Sequence, residues 1–170
     1  MNKSKDYTKY IHAFRLLDDY TITCSPWNKG QHNYGNGHLM NFTEAHTLQY
    51  IIENPGLVVS DIARHWGFTL CAASKIASSL EKKGLIRKEK RDGNQKNLYL
   101  VPTGLGIECD QFHRELDKEY YSALIDELSA IHSREELDIF FKTMSSYIDC
   151  GRKVMRKRGV LHNTEECVRE

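Results

Sequence analysis

Apolar positions recur at three- and four-residue steps along most of this chain, and the period changes only once. Tyr7, Tyr10, Ile11, Phe14 and Leu17 form one stripe, which predicts an amphipathic helix over residues 4–22. A second helix is expected from Asn41 or Thr43, either of which can cap it, to about Asn54, where Pro55-Gly56 stops it. Helical spacing continues through Ile62, Ala73, Ile76 and Leu80. Then Leu85–Lys88 and Leu98–Val101 appear as short β-competent runs on either side of Arg91-Asp92-Gly93-Asn94, a strong turn signal. Val58-Val59 is a candidate third strand. The helical period returns from Thr103, with Leu105, Cys109, Phe112, Leu116, Tyr120, Ala123 and Leu128. Ser133-Arg134-Glu135-Glu136 is a capping box that opens a last helix, striped by Leu137, Phe140, Phe141, Met144, Ile148 and Met155 and running to about Arg158. The Gly/Asn-rich segment 25–41 is expected to be a loop, and Val160–Glu170 a frayed tail.

Residues 60–80 have the layout of a helix-turn-helix. Ala63 is small where two helices must approach, Gly67 can supply a left-handed turn, and Thr69 can cap the second helix. Ile62, Ala73, Ile76 and Leu80 face inward on this spacing. Cys71, Ala72, Ser74, Lys75, Ser78 and Ser79 are left for the outer faces, short and cationic as suits a helix in a DNA major groove. A helix-turn-helix followed by a β-hairpin is a winged helix. The competing use of such a unit is contact with proteins alone.

Charge supports the first use. The formal net charge is +1, yet Lys75–Lys96 holds eight Lys/Arg against three Asp/Glu, Glu108–Asp138 ten acids against three bases, and Arg152–Arg158 five bases and no acid. A cationic patch on a nearly neutral protein can still bind phosphate, because the local field decides the contact. No apolar run reaches membrane-span length and no signal-peptide core is visible, so the expected location is cytoplasmic, with no membrane partner. Five widely spaced cysteines without a C-x-x-C pair are expected to be free thiols. A Gly-rich phosphate loop, a serine elbow and an H-E-x-x-H motif are all missing, and the acidic pairs Asp126/Glu127 and Glu135/Glu136 lack a nearby base. The chain does not read as an enzyme.

The expected fold is mainly α with a small antiparallel β-wing: a winged helix-turn-helix (41–102) between an N-terminal dimerisation helix and loop (1–40) and C-terminal dimerisation helices (103–158), with a flexible tail (159–170). A small winged helix cannot cover the apolar stripes of three further helices. They are expected to pack together and against a second copy, giving a homodimer on a pseudo-palindromic operator in double-stranded DNA. An intramolecular bundle is the alternative.

The segments NFTEAHTLQYIIENPGLVVSDIARHWGFTLCAASKIASSLEKKGLIRKEKRDGN and LVPTGLG resemble the MarR family of bacterial transcriptional regulators. Their most specific pieces are Pro55-Gly56, Leu80-Glu81-Lys82-Lys83-Gly84-Leu85-Ile86, and Thr103 with Gly106. The resemblance implies a triangular homodimer with interlocked terminal helices, a recognition helix at about Thr69–Lys83 in the major groove, and a wing at about Arg87–Leu100 in the minor groove. It also implies a repressor of nearby genes, released by an effector or by cysteine oxidation. One departure is in the wing, where family members commonly carry Asp-x-Arg and this chain has Asn94-Gln95-Lys96, with Arg91-Asp92 just before. The other is the long aromatic and histidine-bearing loop between the first two helices.

For DNA, Lys75 is the first candidate for base or phosphate contact, with Ser74 and Ser78 as donors and Thr69, Cys71 and Ala72 on the same helix. Arg87, Lys88, Lys90, Arg91, Asn94 and Lys96 would supply the wing. For the effector, three readings stand. Tyr10, Phe14, Trp27, Met40, His46, Tyr50 and Phe112 would line a pocket for a flat aromatic molecule. Cys24, His46, Cys109 and His113 would hold zinc or haem, Cys109 and His113 being one helical turn apart. Cys71, near a helix N-terminus and Lys75, would sense oxidants. No cofactor is required by any motif.

Overall fold

The computed structural model describes residues 3–35, 37–91 and 94–161, with side chains described for 8–35, 37–90 and 98–161. The order is α1 (Lys3–Lys29), β1 (His32–Asn33), β2 (Leu39–Met40), α2 (Phe42–Glu53), α3 (Val59–Trp66), α4 (Leu70–Lys82), β3 (Ile86–Arg91), β4 (Asn94–Pro102), α5 (Gly104–Ser129) and α6 (Arg134–Lys157). Two antiparallel hairpins, β1–β2 and β3–β4, interrupt the helices. No helix among the described residues is long and apolar enough to cross a membrane.

Local chemistry fixes the helix starts. Asn41 and Glu44 close a capping box, each side chain accepting the other's backbone N–H at 2.9 Å. Thr69 accepts from the Ala72 N–H at 3.1 Å, and Gly67, at φ 72°, turns α3 into α4. Ser133 and Glu136 form the second box, at the head of α6. Thr103 accepts from the Gly106 N–H at 3.0 Å and donates to the Gly84 carbonyl at 2.7 Å, which pins α5 to the turn before the wing.

Three expectations are corrected. The first helix does not stop near residue 22 but runs to Lys29 and absorbs the front of the supposed loop. Pro26 forfeits its bond to the Ile22 carbonyl. The turn after it still closes, with the Gly30 N–H bonding the carbonyls of Pro26 (3.0 Å) and Trp27 (3.1 Å). The rest of that loop is the short hairpin β1–β2. Val58 makes a single antiparallel bridge to Tyr99, while Val59 begins α3, so no full third strand forms. The wing strands are longer than expected, pairing Ile86 with Pro102 through to Arg91 with Asn94, with a register shift between Glu89 and Arg91.

The core belongs to the winged helix. Leu48, Ile51, Ile62, Ala73, Ala77, Leu80, Leu85 and Leu100 are fully or almost fully buried. Ala77, unremarked in the pattern, is one of them because it meets the packed side of α4. By contrast, no residue of α6 is buried, and Phe112, Phe140 and Phe141 are about half exposed. The apolar stripes of the outer helices are left open on the single chain.

Candidate functional site

Helix α4 presents one face to the core and the other to solvent. Thr69, Cys71, Ser74 and Lys75 are exposed, and Ala72 and Ser78 half-buried, on a helix whose Ala73, Ala77 and Leu80 are buried. The hydrophobic spacing that holds Ala73, Ala77 and Leu80 inside therefore turns Lys75 outward. Ser79 does not belong to that outer face. Its hydroxyl donates to Glu44 Oε1 at 2.5 Å, because the buried Glu44 carboxylate needs donors on the inner side of α4.

Beside α4 stands the wing. Arg87 pairs with Glu89 along β3. Lys88 lies 2.8 Å from Glu81 and donates to Ser78 at 3.3 Å, so these two predicted DNA contacts hold each other and an acid on α4. Lys90 is exposed. The side chains of Arg91, Asn94 and Lys96 lie outside the described residues.

A second constellation lies between α2 and α5. His46 of α2 and His113 and Asp117 of α5 bring one donor atom each to within 4.8 Å of one another. The two imidazoles meet edge to face at 4.7 Å, and Tyr34 packs edge-on against His113 at 5.2 Å. His46 Nε2 and His113 Nδ1 are buried without a hydrogen-bond partner. Burial is the main cause lowering the His113 proton affinity, with Asp117 opposing it. Neutral imidazole with an unshared lone pair is a metal ligand, and two histidines with a carboxylate are a common donor set for zinc. Tetrahedral zinc needs donors ~3.3 Å apart, so a small inward adjustment of these side chains would complete the set.

The MarR family model matches residues 40–96, from the end of β2 into β4, about a third of the chain. Over that third of its length the chain is similar to the MarR family. Among solved structures it resembles the adhesin competence repressor AdcR of Streptococcus pyogenes (21% identity, 79% of this chain and 94% of that one, TM-score 0.62). It also resembles the zinc-responsive MarR family member ZitR of Lactococcus lactis (14%, 81% and 95%, TM-score 0.61). A third is Streptococcus pneumoniae FabT in complex with DNA (17%, 89% and 97%, TM-score 0.58). No curated protein matches the chain significantly.

The other sequence candidates are spread out. Cys24, half-buried on α1, and Cys109, buried one turn before His113, stay outside the three-residue cluster. Burial pushes the Cys109 thiol up, so it is held as a packed thiol rather than a ready thiolate ligand. Cys71 is exposed and unpaired.

The seven residues expected to line an aromatic pocket have different neighbours. Met40 is in the core and Tyr50 stacks on His65 of α3 at 3.8 Å. Trp27 stacks on His32 at 3.7 Å, and Phe14 meets Tyr147 of α6 at 6.3 Å. Tyr10 is exposed, and Phe112 lies against Gly35 of the β1–β2 turn. An open cavity on α5 is bounded by Phe112, Glu115, Leu116, Lys118, Glu119 and Ser122, a different set apart from Phe112.

Sequence reasoning missed Asp117, although His113-x-x-x-Asp117 is an i,i+4 pair and the signal was there. It also missed Asp110, buried on α5, which accepts from Arg114 at 2.7 Å while Arg114 reaches Glu53 of α2 at 3.0 Å. That link holds α5 against α2 beside the histidines.

Proposed function

We propose that this protein is a homodimeric, sequence-specific DNA-binding repressor whose grip on its operator is set by an effector. The observation that carries the DNA reading is the two-sidedness of α4: a buried alanine and leucine face, an exposed face with Thr69, Ser74 and Lys75, and a cationic hairpin alongside. A rod of that kind, ~20 Å long, suits the major groove. The half-exposed apolar faces of α1, α5 and α6 support a dimer, since a continuous open apolar face is a self-association surface. Two linked lobes then read two half-sites about one helical turn apart. FabT, of the same fold, is known in complex with DNA.

The effector reading favoured by a specific observation is a zinc-class divalent ion on His46, His113 and Asp117. The two orphaned imidazole nitrogens carry it, and the similar ZitR is a zinc-responsive protein. These residues join α2, which enters the winged helix, to α5, which leaves it for the outer helices. An ion drawing them together would change the angle of each lobe. A flat aromatic effector is the second reading, supported by the exposed rings of Trp27 and Phe112.

Selection of bound duplexes from a random pool, followed by salt titration of the affinity with and without zinc, tests both. The expected result is a two-fold-symmetric site, strong salt dependence and a zinc-dependent shift in Kd. Absence of salt-dependent DNA affinity would overturn the DNA reading in favour of a protein-contact module. DNA binding indifferent to zinc would remove the metal reading alone.

A further inference from the structure

The end of α6 rests on the helix-turn-helix. A methyl group built on Gly67, in the turn from α3 to α4, would meet the Leu161 side chain at 2.9 Å, so Leu161 lies directly on that turn. The chain bends back there at Gly159 (φ 69°), and the N–H groups of Val160 and Leu161 both reach the Met155 carbonyl, at 3.0 and 3.4 Å. Further up the helix, Arg152 stands near His65 of α3, whose proton affinity is lowered by burial and then by that charge.

Between these two contacts lies the run of five bases. Arg152 and Arg156, and Lys153 and Lys157, are i,i+4 pairs on neighbouring rows of α6, and Arg158 is its C-cap. Arg156 is half-buried and the other four are exposed. Among the described residues none of the five has an acidic partner, whereas Arg64, Lys83, Arg87, Lys88 and Arg114 all do. The helix dipole favours cations only within the last turn, and so leaves Arg152 and Lys153 unaccounted for.

Position gives the patch its partner. Leu161 sits at the N-terminal end of α4, while the wing departs just past its C-terminal end at Lys83. The recognition helix, ~20 Å long, is therefore flanked by cations at both ends. A major groove ~12 Å wide is bounded by a phosphate backbone on each side.

The geometry points to a second backbone clamp: the basic end of α6 binds duplex phosphates flanking the bases read by α4, opposite the wing. This inference rests on the DNA reading above. Such contacts are to phosphate and carry no base preference.

The test is the full-length triple variant Arg156→Gln/Lys157→Gln/Arg158→Gln, compared with the wild type on the selected operator and on a scrambled duplex across a salt series. Lys153→Gln/Lys157→Gln is the milder second variant, and thermal unfolding checks that both are folded. The expected result is binding at least ~10-fold weaker at physiological salt on both duplexes, with the same ratio between them. The slope of log affinity against log salt should become shallower by ~0.9 for each phosphate the variant no longer neutralises. Wild-type binding that is salt-dependent but unchanged in the folded variants would overturn the clamp and leave the DNA reading intact. A wild type with no salt-dependent binding would overturn both.

Discussion

Glu44 and Lys83 meet at 2.7 Å, tying the first turn of α2 to the end of α4. The carboxylate is almost fully buried and accepts from Lys83, from Ser79 at 2.5 Å and from the Asn41 N–H at 2.9 Å. One side chain thus caps its own helix and fixes the tilt of α4 against it. Burial pushes the Glu44 carboxyl up, but these hydrogen bonds outweigh it and the group titrates below its ordinary value.

A lowered folded pKa means the stabilisation is fully present above the unfolded value, ~4.3, and is lost as pH falls through the folded one. Glu44→Gln, measured by denaturant unfolding with chelator present, should cost about 1–3 kcal/mol at neutral pH. The gap from wild type should close below pH ~4. A gap that stays constant from neutral pH into that acid range would show that Glu44 matters for shape and not for charge.

Two glycines in the first turn of α5 should behave oppositely. A Cβ on Gly106 would overlap the Leu85 carbonyl, which is backbone and cannot swing away, whereas a Cβ on Gly104 meets nothing within 4 Å. Gly106→Ala should destabilise by about 1–3 kcal/mol. Gly104→Ala should be neutral or stabilising by up to ~1 kcal/mol, since alanine is the better helix residue. Equal thermal shifts for the two variants would contradict the close approach of α5 to the backbone at Leu85, just before β3.

The winged helix was legible because its signals are local. Thr69, Gly67 and the alternating runs around Asp92-Gly93 need only near neighbours to act, and all fell where the spacing placed them. The site was legible in part. His46 and His113 stand out in the sequence as residues able to bind metal, but the companions it suggests for them are cysteines. Sequence distance hides that the α5 face turned to α2 carries Asp110, His113 and Asp117, while Phe112 and Leu116 point away. The Glu44–Lys83 contact spans 39 residues and has no pattern that announces it. The first helix runs past the end of its apolar stripe and through Pro26, so neither the stripe nor the Gly/Asn-rich composition of 25–41 marks where it stops.

Lys88 is a wing cation partly neutralised at rest by Glu81, 2.8 Å away on the last turn of α4. Glu81 would also face the phosphates that Lys88 approaches. Glu81→Gln should therefore tighten operator binding a few-fold at low salt, with the gain fading as ionic strength rises. Fluorescence anisotropy over a salt series reads this directly. Weaker binding in the variant would mean that the pair orients Lys88 toward the groove and that its geometry outweighs the acid's repulsion.

Zinc titration of site variants decides between the residues the structure gathers and those the sequence suggested. His46 and His113 each supply one nitrogen to the cluster, so His46→Ala or His113→Ala should abolish high-affinity binding in competition with a chelating dye. Asp117 stands 3.4 Å from His113 Nε2 and acts either as the third ligand or as the carboxylate that orients the ring. In both roles Asp117→Asn should weaken zinc by about 10-fold or more. Cys109 is a packed thiol raised by burial, and Cys109→Ser should leave zinc affinity within about threefold, even where it costs some stability. The reverse pattern, with affinity abolished in Cys109→Ser and kept in Asp117→Asn, would move the metal to a thiolate site and require α5 to rotate about its axis on binding.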